Sequence, residues 1–170
     1  MNESLFYFFN SFAGQSLALD RLIIFVADYL GWVVLGWALI YFLLFRRSEM
    51  WLLFIPTVAW LVSEILQRLT AWPRPFAYLP DVQQLVEHVP TGSFPSSHTT
   101  FFFALALVVY TLSRKLGHWY LAAALLICLA RVVAGVHWPS DILGGIALGA
   151  LVSAIFFLIH NLLTSRQVRL

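Results

Sequence analysis

The stretch Leu22–Phe45, LIIFVADYLGWVVLGWALIYFLLF, decides what kind of fold this chain adopts. It exceeds the roughly 20 apolar residues a helix needs to cross a hydrocarbon core about 30 Å thick, and the pair Arg46 and Arg47 closes it. Asp28 is its one charged residue. The rest of the chain has the same character: 170 residues are 61% hydrophobic and only 11% charged, with a mean hydropathy of +0.85. Soluble domains average about 25% charged residues, so a water-soluble globule is excluded. Ten Lys/Arg stand against eight Asp/Glu for a net charge of +2. No basic run is longer than a pair, so the electrostatic footprint of a nucleic-acid binder is missing. Cys128 is the single cysteine, which excludes an internal disulfide or a multi-cysteine metal site and suits a small buried thiol.

Further spans are expected over Trp51–Leu69, about His98–Leu112 (short), His118 to about Gly135, and Pro139–Leu163. Residues 1–14 carry Leu5, Phe6, Phe8, Phe9 and Phe12, interrupted by Asn10 and Ser11. They are too short to cross and read as an interfacial helix. The expected fold is therefore all-α: a polytopic membrane helix bundle of about five transmembrane helices plus a short N-terminal interfacial helix, with residues 1–170 forming a single integral membrane domain. A proline-rich stretch from Ala71 to Ser97 reads as one long non-helical loop, and loops of that length are usually functional or disordered. Cytoplasmic loops are enriched in Lys and Arg. Arg46, Arg47, Arg114, Lys115, Arg166 and Arg169 all fall on one side of a five-span chain, which assigns that side to the cytoplasm. The long loop and the junction around His137 then share the outer face.

Ionisable groups in membrane segments are costly and mark functional sites by default. The outer face gathers Arg68, Arg74, His98, Arg131, His137 and Asp141. Arg131 shares a helical stripe with Ala124, Cys128 and Gly135, and Asp141 heads one through Gly145, Gly149 and Ser153. Small residues permit close helix packing, so both charges are expected to point into the bundle. A buried Arg131–Asp141 pair that only pins two helices is the alternative. His98 follows Pro95-Ser96-Ser97 at a helix start, where free N–H groups and the positive dipole end favour an anion, unless the serines simply cap the helix. Pro139 marks a helix start between His137 and Asp141, which suits a carboxylate holding one imidazole tautomer. Two arginines, helix-start N–H groups, an oriented imidazole and a second histidine form the inventory of metal-free phosphoryl transfer, where charge on oxygens must be neutralised and protons moved. Glu64, with Arg68 at i+4, reads as an ion pair that orients Arg68, or else as a carboxylate tuning the site. Asp28 and His160 are expected to serve helix packing or the membrane interface.

Arg74-Pro75, Pro95-Ser96-Ser97-His98, and Arg131 followed after five residues by His137 and after three more by Asp141, make the sequence resemble the type 2 phosphatidic acid phosphatase superfamily over about residues 67–141. That resemblance implies His137 as the nucleophile forming a phosphohistidine, Asp141 as its orienting partner and His98 as acid to the leaving group. It implies Arg74, Arg131, Ser96 and Ser97, with Gln67, as phosphate-binding residues, and neither metal nor cofactor. The sequence departs from the family's signatures at three positions: Gln67 stands where the family has Lys, Ala130 where it has Ser, and Ser97 where it has Gly.

Among bacterial branches, the small size and the run from Phe94 to Thr100 look most similar to undecaprenyl-diphosphate phosphatases, located in the cytoplasmic (inner) membrane with the site on the periplasmic or extracellular face. Phosphatidylglycerophosphate or phosphatidate is the alternative substrate, and no protein partner is identifiable. Trp72, Phe76, Tyr78 and Trp138 read either as a lipid entrance or as an interfacial aromatic belt. From a different class, His98 and His137 are also consistent with haem ligation, and the polar centre with a structural or transport membrane protein.

Overall fold

The computed structural model describes residues 2–167, with side chains through residue 165. Arg169 and the side chain of Arg166, counted above among the cytoplasmic cations, lie outside the described residues. Among these residues the chain is all-helical. α1 (Asn2–Asn10) precedes a continuous rod, Leu17–Phe45, made of α2 (Leu17–Ile24), a π turn (Phe25–Tyr29) and α3 (Leu30–Phe45). A 3₁₀ stretch (Arg47–Leu53) leads into α4 (Phe54–Thr70), and a short α5 (Pro75–Tyr78) breaks the long loop. Then follow α6 (Ser97–Leu112), α7 (Arg114–Val133) and α8 (Pro139–Gln167).

Among the described residues, four segments are long and apolar enough to cross a membrane: Leu17–Phe45, Arg47–Tyr78, Arg114–Val133 and Pro139–Ser165. α6 has 16 residues, about 24 Å at 1.5 Å per residue, and is the central helix, packed against α4, α7 and α8. A helix apolar on all sides belongs inside a bundle, and Phe102, Ala104, Leu105, Val108 and Val109 of α6 are all buried. Lipid-exposed faces explain the many large apolar side chains left open on α3 and α8, such as Trp32, Trp37, Leu44, Leu143 and Leu158.

Helix ends follow caps more closely than hydropathy. The first span starts at Leu17, five residues before the apolar run, because the Ser16 side chain accepts the Leu19 N–H. Likewise α7 starts at Arg114, where the Ser113 side chain accepts the Leu116 N–H. Between lipid-solvated helices, close packing replaces the hydrophobic effect as the source of association. The α8 stripe provides it: a Cβ on Gly145 would sit 2.7 Å from Thr99 Cβ and 2.8 Å from the Ser96 carbonyl oxygen, and one on Gly149 would sit 2.8 Å from the Thr100 carbonyl oxygen. α6 and α8 therefore touch backbone to backbone beside Asp141.

α1 is more than an interfacial float. Phe6 is fully buried with Val132 and Trp138. Asn10 donates to the carbonyls of Gln83 (2.8 Å) and Val133 (2.9 Å) and accepts the Gln83 N–H. Leu5, Phe8 and Phe12 stay exposed, as an interfacial helix requires. α1 and the long loop thus cover one end of the bundle, and Arg46, Arg47, Arg114 and Lys115 lie at the other.

Candidate active site

α8 opens with Pro139 at its first position, and Asp141 in the first turn reaches back to accept the Trp138 N–H at 2.8 Å. The same oxygen, Oδ2, accepts from Ser93 Oγ and from His137 Nδ1 at 3.2 Å. A proton on Nδ1 follows from that geometry, and it leaves the lone pair on Nε2, buried with the rest of the ring. Arg74 meets it, with Nη1 3.2 Å from Nε2. The Asp141 backbone carbonyl accepts the Ser96 N–H at 3.1 Å, which ties the start of α8 to the start of α6.

Arg74 lies between the end of α4 and Pro75 and is 2% exposed. Its Nη1 also donates to the Val136 carbonyl (2.9 Å) and its Nη2 to the Gly92 carbonyl (3.2 Å), so the guanidinium is fixed from two loops. Arg131, in the last turn of α7, is 1% exposed and pairs through Nη1 with Asp28 Oδ1 at 2.9 Å. Burial first, then the positive charges of Arg131 and Arg74, hold the His137 imidazole well below its usual pKa. The ring is therefore neutral at physiological pH, with its Nε2 lone pair accepting from Arg74.

His98, second residue of α6, is half-buried and borders two neighbouring cavities. One is polar, lined by Asp28, Glu87, His88, His98 and Arg131. His88 stands between this pocket and the buried histidine, with its ring centroid 6.4 Å from that of His137. The other is an apolar groove between α3, α4 and α6, lined by Gly31, Trp32, Leu35, Trp60, Phe101 and Phe102. A polar pocket and an apolar groove thus share Asp28, Trp32 and His98 as lining residues.

Ser96 is fully buried, and its Oγ is engaged in capping α6 through the Thr99 N–H. Ser97 borders the apolar groove. Gln67 is buried, with Nε2 donating to the Pro95 carbonyl at 2.7 Å, so it secures the turn before α6. Three features were invisible in the sequence or read differently there. Arg131 and Asp141 do not pair with each other; each has a separate partner. Glu64 and Arg68 form no ion pair, because Gln67 takes the inward face of α4 and turns Arg68 outward. Trp138 is buried and donates to the Pro73 carbonyl at 2.8 Å, so it belongs to the loop scaffold, while Trp72 and Tyr78 are exposed. Ser93 and His88 had no motif to announce them. Among the described residues, no three His, Cys, Asp or Glu side chains gather into a group able to hold a metal ion.

Residues 48–165 match the family described as the PAP2 superfamily. The chain belongs to that family. This PAP2 chain is 31% identical over 160 residues to the bacitracin transport permease protein BcrC of Bacillus licheniformis, covering 92% of this chain and 78% of the relative. It is 29% identical over 170 residues to the undecaprenyl-diphosphatase BcrC of Bacillus subtilis (strain 168), covering 96% and 86%. Its fold superposes on the crystal structure of Aquifex aeolicus LpxE with a TM-score of 0.76 at 29% identity, covering 91% of this chain and 93% of that one. The PAP2 chain is thus an integral membrane phosphatase, and the motifs read from its sequence lie within the matched region.

Proposed function

We propose that this PAP2 phosphatase hydrolyses undecaprenyl diphosphate to undecaprenyl phosphate and inorganic phosphate through a phosphohistidine, without a metal ion. The observation that carries the reading is the His137–Asp141 pair set against Arg74, near a polar pocket and an apolar groove that share Asp28, Trp32 and His98. His137 Nε2 attacks the terminal phosphorus. The bond from that phosphorus to the bridging oxygen breaks, and His98 gives its proton to the departing lipid phosphate. Water then attacks the phosphorus on Nε2, His98 takes up the water's proton, and phosphate leaves with the lone pair of His137 restored.

Arg74 and Arg131 neutralise charge on the phosphoryl oxygens, the dominant requirement of this transition state. Asp141 holds the tautomer and stabilises the cationic ring once it is phosphorylated. Gln67 and Ser96 act by fixing the turn that presents His98, and Ser97 faces the leaving group's side. The groove takes the first isoprene units of the substrate, and the diphosphatase name of the Bacillus subtilis relative supports that choice of lipid. Because the site lies at the end opposite Arg46, Arg47, Arg114 and Lys115, it faces the outer side of a bacterial cytoplasmic membrane.

The test is phosphate release in detergent micelles containing EDTA, comparing undecaprenyl diphosphate with phosphatidylglycerophosphate and phosphatidate. The expected result is a kcat/KM at least tenfold higher for the prenyl diphosphate. Preference for either glycerolipid would overturn the substrate assignment, and loss of turnover in EDTA would overturn metal independence.

A further inference from the structure

Asp28 is a carboxylate inside the apolar rod Leu17–Phe45, a placement that is costly unless the group has a partner and a use. It lies in the π turn Phe25–Tyr29, a departure from α-helical geometry often found at functional sites. Its Oδ1 accepts from Arg131 Nη1 at 2.9 Å. Nη1 is the only nitrogen of that guanidinium with a partner among the described residues: Nε and Nη2 are buried without one. Nε and Nη2 form one edge of the planar group, the edge that grips two oxygens of a phosphate side-on. Asp28 itself keeps 36% of its side chain exposed and borders both the polar pocket and the apolar groove. The carboxylate is therefore not sealed in the bundle as a simple helix pin; it stands at the mouth of the site and holds the arginine from the lipid side.

We propose that Asp28 is the positioning residue of Arg131: by taking Nη1 it aims the Nε–Nη2 edge at the phosphoryl group. Without it, the guanidinium has no fixed rotation about its side chain, and the phosphate meets a mobile cation. The inference rests on the reading of Arg131 as a phosphate ligand. Inorganic phosphate is a product of every lipid phosphate, so its inhibition constant reports on Asp28 whichever lipid is preferred. Failure of the substrate reading would instead show as absent turnover of undecaprenyl diphosphate by the unsubstituted protein.

The experiment measures KM, kcat and the Ki of inorganic phosphate for the full chain in micelles. Asp28→Ala is expected to lower kcat/KM and to raise the phosphate Ki at least tenfold each. Asp28→Asn, which keeps an acceptor for Nη1, is expected to stay within threefold of the unsubstituted protein in both. In an Arg131→Ala background, Asp28→Ala is expected to add less than twofold, because the group it positions is gone. Should Asp28→Ala fail to fold, Asp28→Ser, too short to reach Nη1, carries the same expectation. An unchanged Ki in the Ala or Ser variant, or an effect of equal size in the Arg131→Ala background, would overturn the proposal.

Discussion

Replacing Asp141 by Asn changes one atom and tests the proposed chemistry at its most sensitive point. Asp141 Oδ2 accepts from His137 Nδ1, the Trp138 N–H and Ser93 Oγ, so the carboxylate dictates which imidazole nitrogen carries the proton. An amide in the same place presents an NH2 group as well as an oxygen. With its oxygen in the Oδ2 place, the amide keeps all three donors and the Nδ1–H tautomer, and its NH2 takes the place of Oδ1, which is buried without a partner among the described residues. What goes is the negative charge that stabilises the ring once Nε2 carries the phosphoryl group. The charge-assisted bond lost in the transition state is worth about 1.5–3 kcal/mol, and at about 1.36 kcal/mol per decade of rate that gives a fall in kcat of roughly 10- to 100-fold. The assay is the initial rate of phosphate release at saturating lipid in micelles, with a melting curve of the same preparation to show that the protein is folded. A folded Asp141→Asn enzyme retaining half or more of its kcat would refute the role given to the carboxylate charge.

Three other outcomes follow from the geometry. Gly145→Ala forces a methyl within 3 Å of Thr99 and the Ser96 carbonyl, so it is expected to cost about 1–3 kcal/mol of stability and to lower activity by displacing the start of α6. Gly36→Ala meets nothing within 4 Å and is expected to gain about 0.5–1 kcal/mol; melting temperatures of the two variants should move in opposite directions. Burial, then the charges of Arg74 and Arg131, push His88 down to about 4, and burial with the same two arginines lowers His137. Below pH 6.5 the unfolded chain then binds protons that the folded chain refuses, so stability is full above that pH and declines as pH falls toward 4. His88→Gln is expected to flatten the decline in melting temperature between pH 7 and pH 4.5, and identical slopes would contradict this.

The membrane character of the fold was legible because composition leaves no other solvent for a chain this apolar, and each span announces itself as an apolar run. Its boundaries were less so. Ser16 and Ser113 extend helices past the point where hydropathy falls, through side-chain caps that a hydropathy window does not weigh. At the site, local spacing placed His137, Asp141 and the start of α8, because a proline and a first-turn carboxylate act over three residues. Pairings between distant segments were not readable in this way. Arg131 and Asp28 are 103 residues apart in sequence, and only the packing of the π turn against α7 makes them partners. Glu64 and Arg68 had suitable helical spacing, yet spacing does not say which face of α4 is inward; Gln67 and Ser63, both buried, decide that. Ser93 reached Asp141 through a loop whose path no periodicity encodes.

The most direct test of the account is to quench the enzyme during turnover of undecaprenyl diphosphate labelled with ³²P in its terminal phosphate, and to map any protein-bound label. The account predicts an acid-labile, alkali-stable label on His137 that accumulates within the first turnover and is absent from His137→Ala. Steady release of phosphate without labelled protein, or label that survives in His137→Ala, would contradict it.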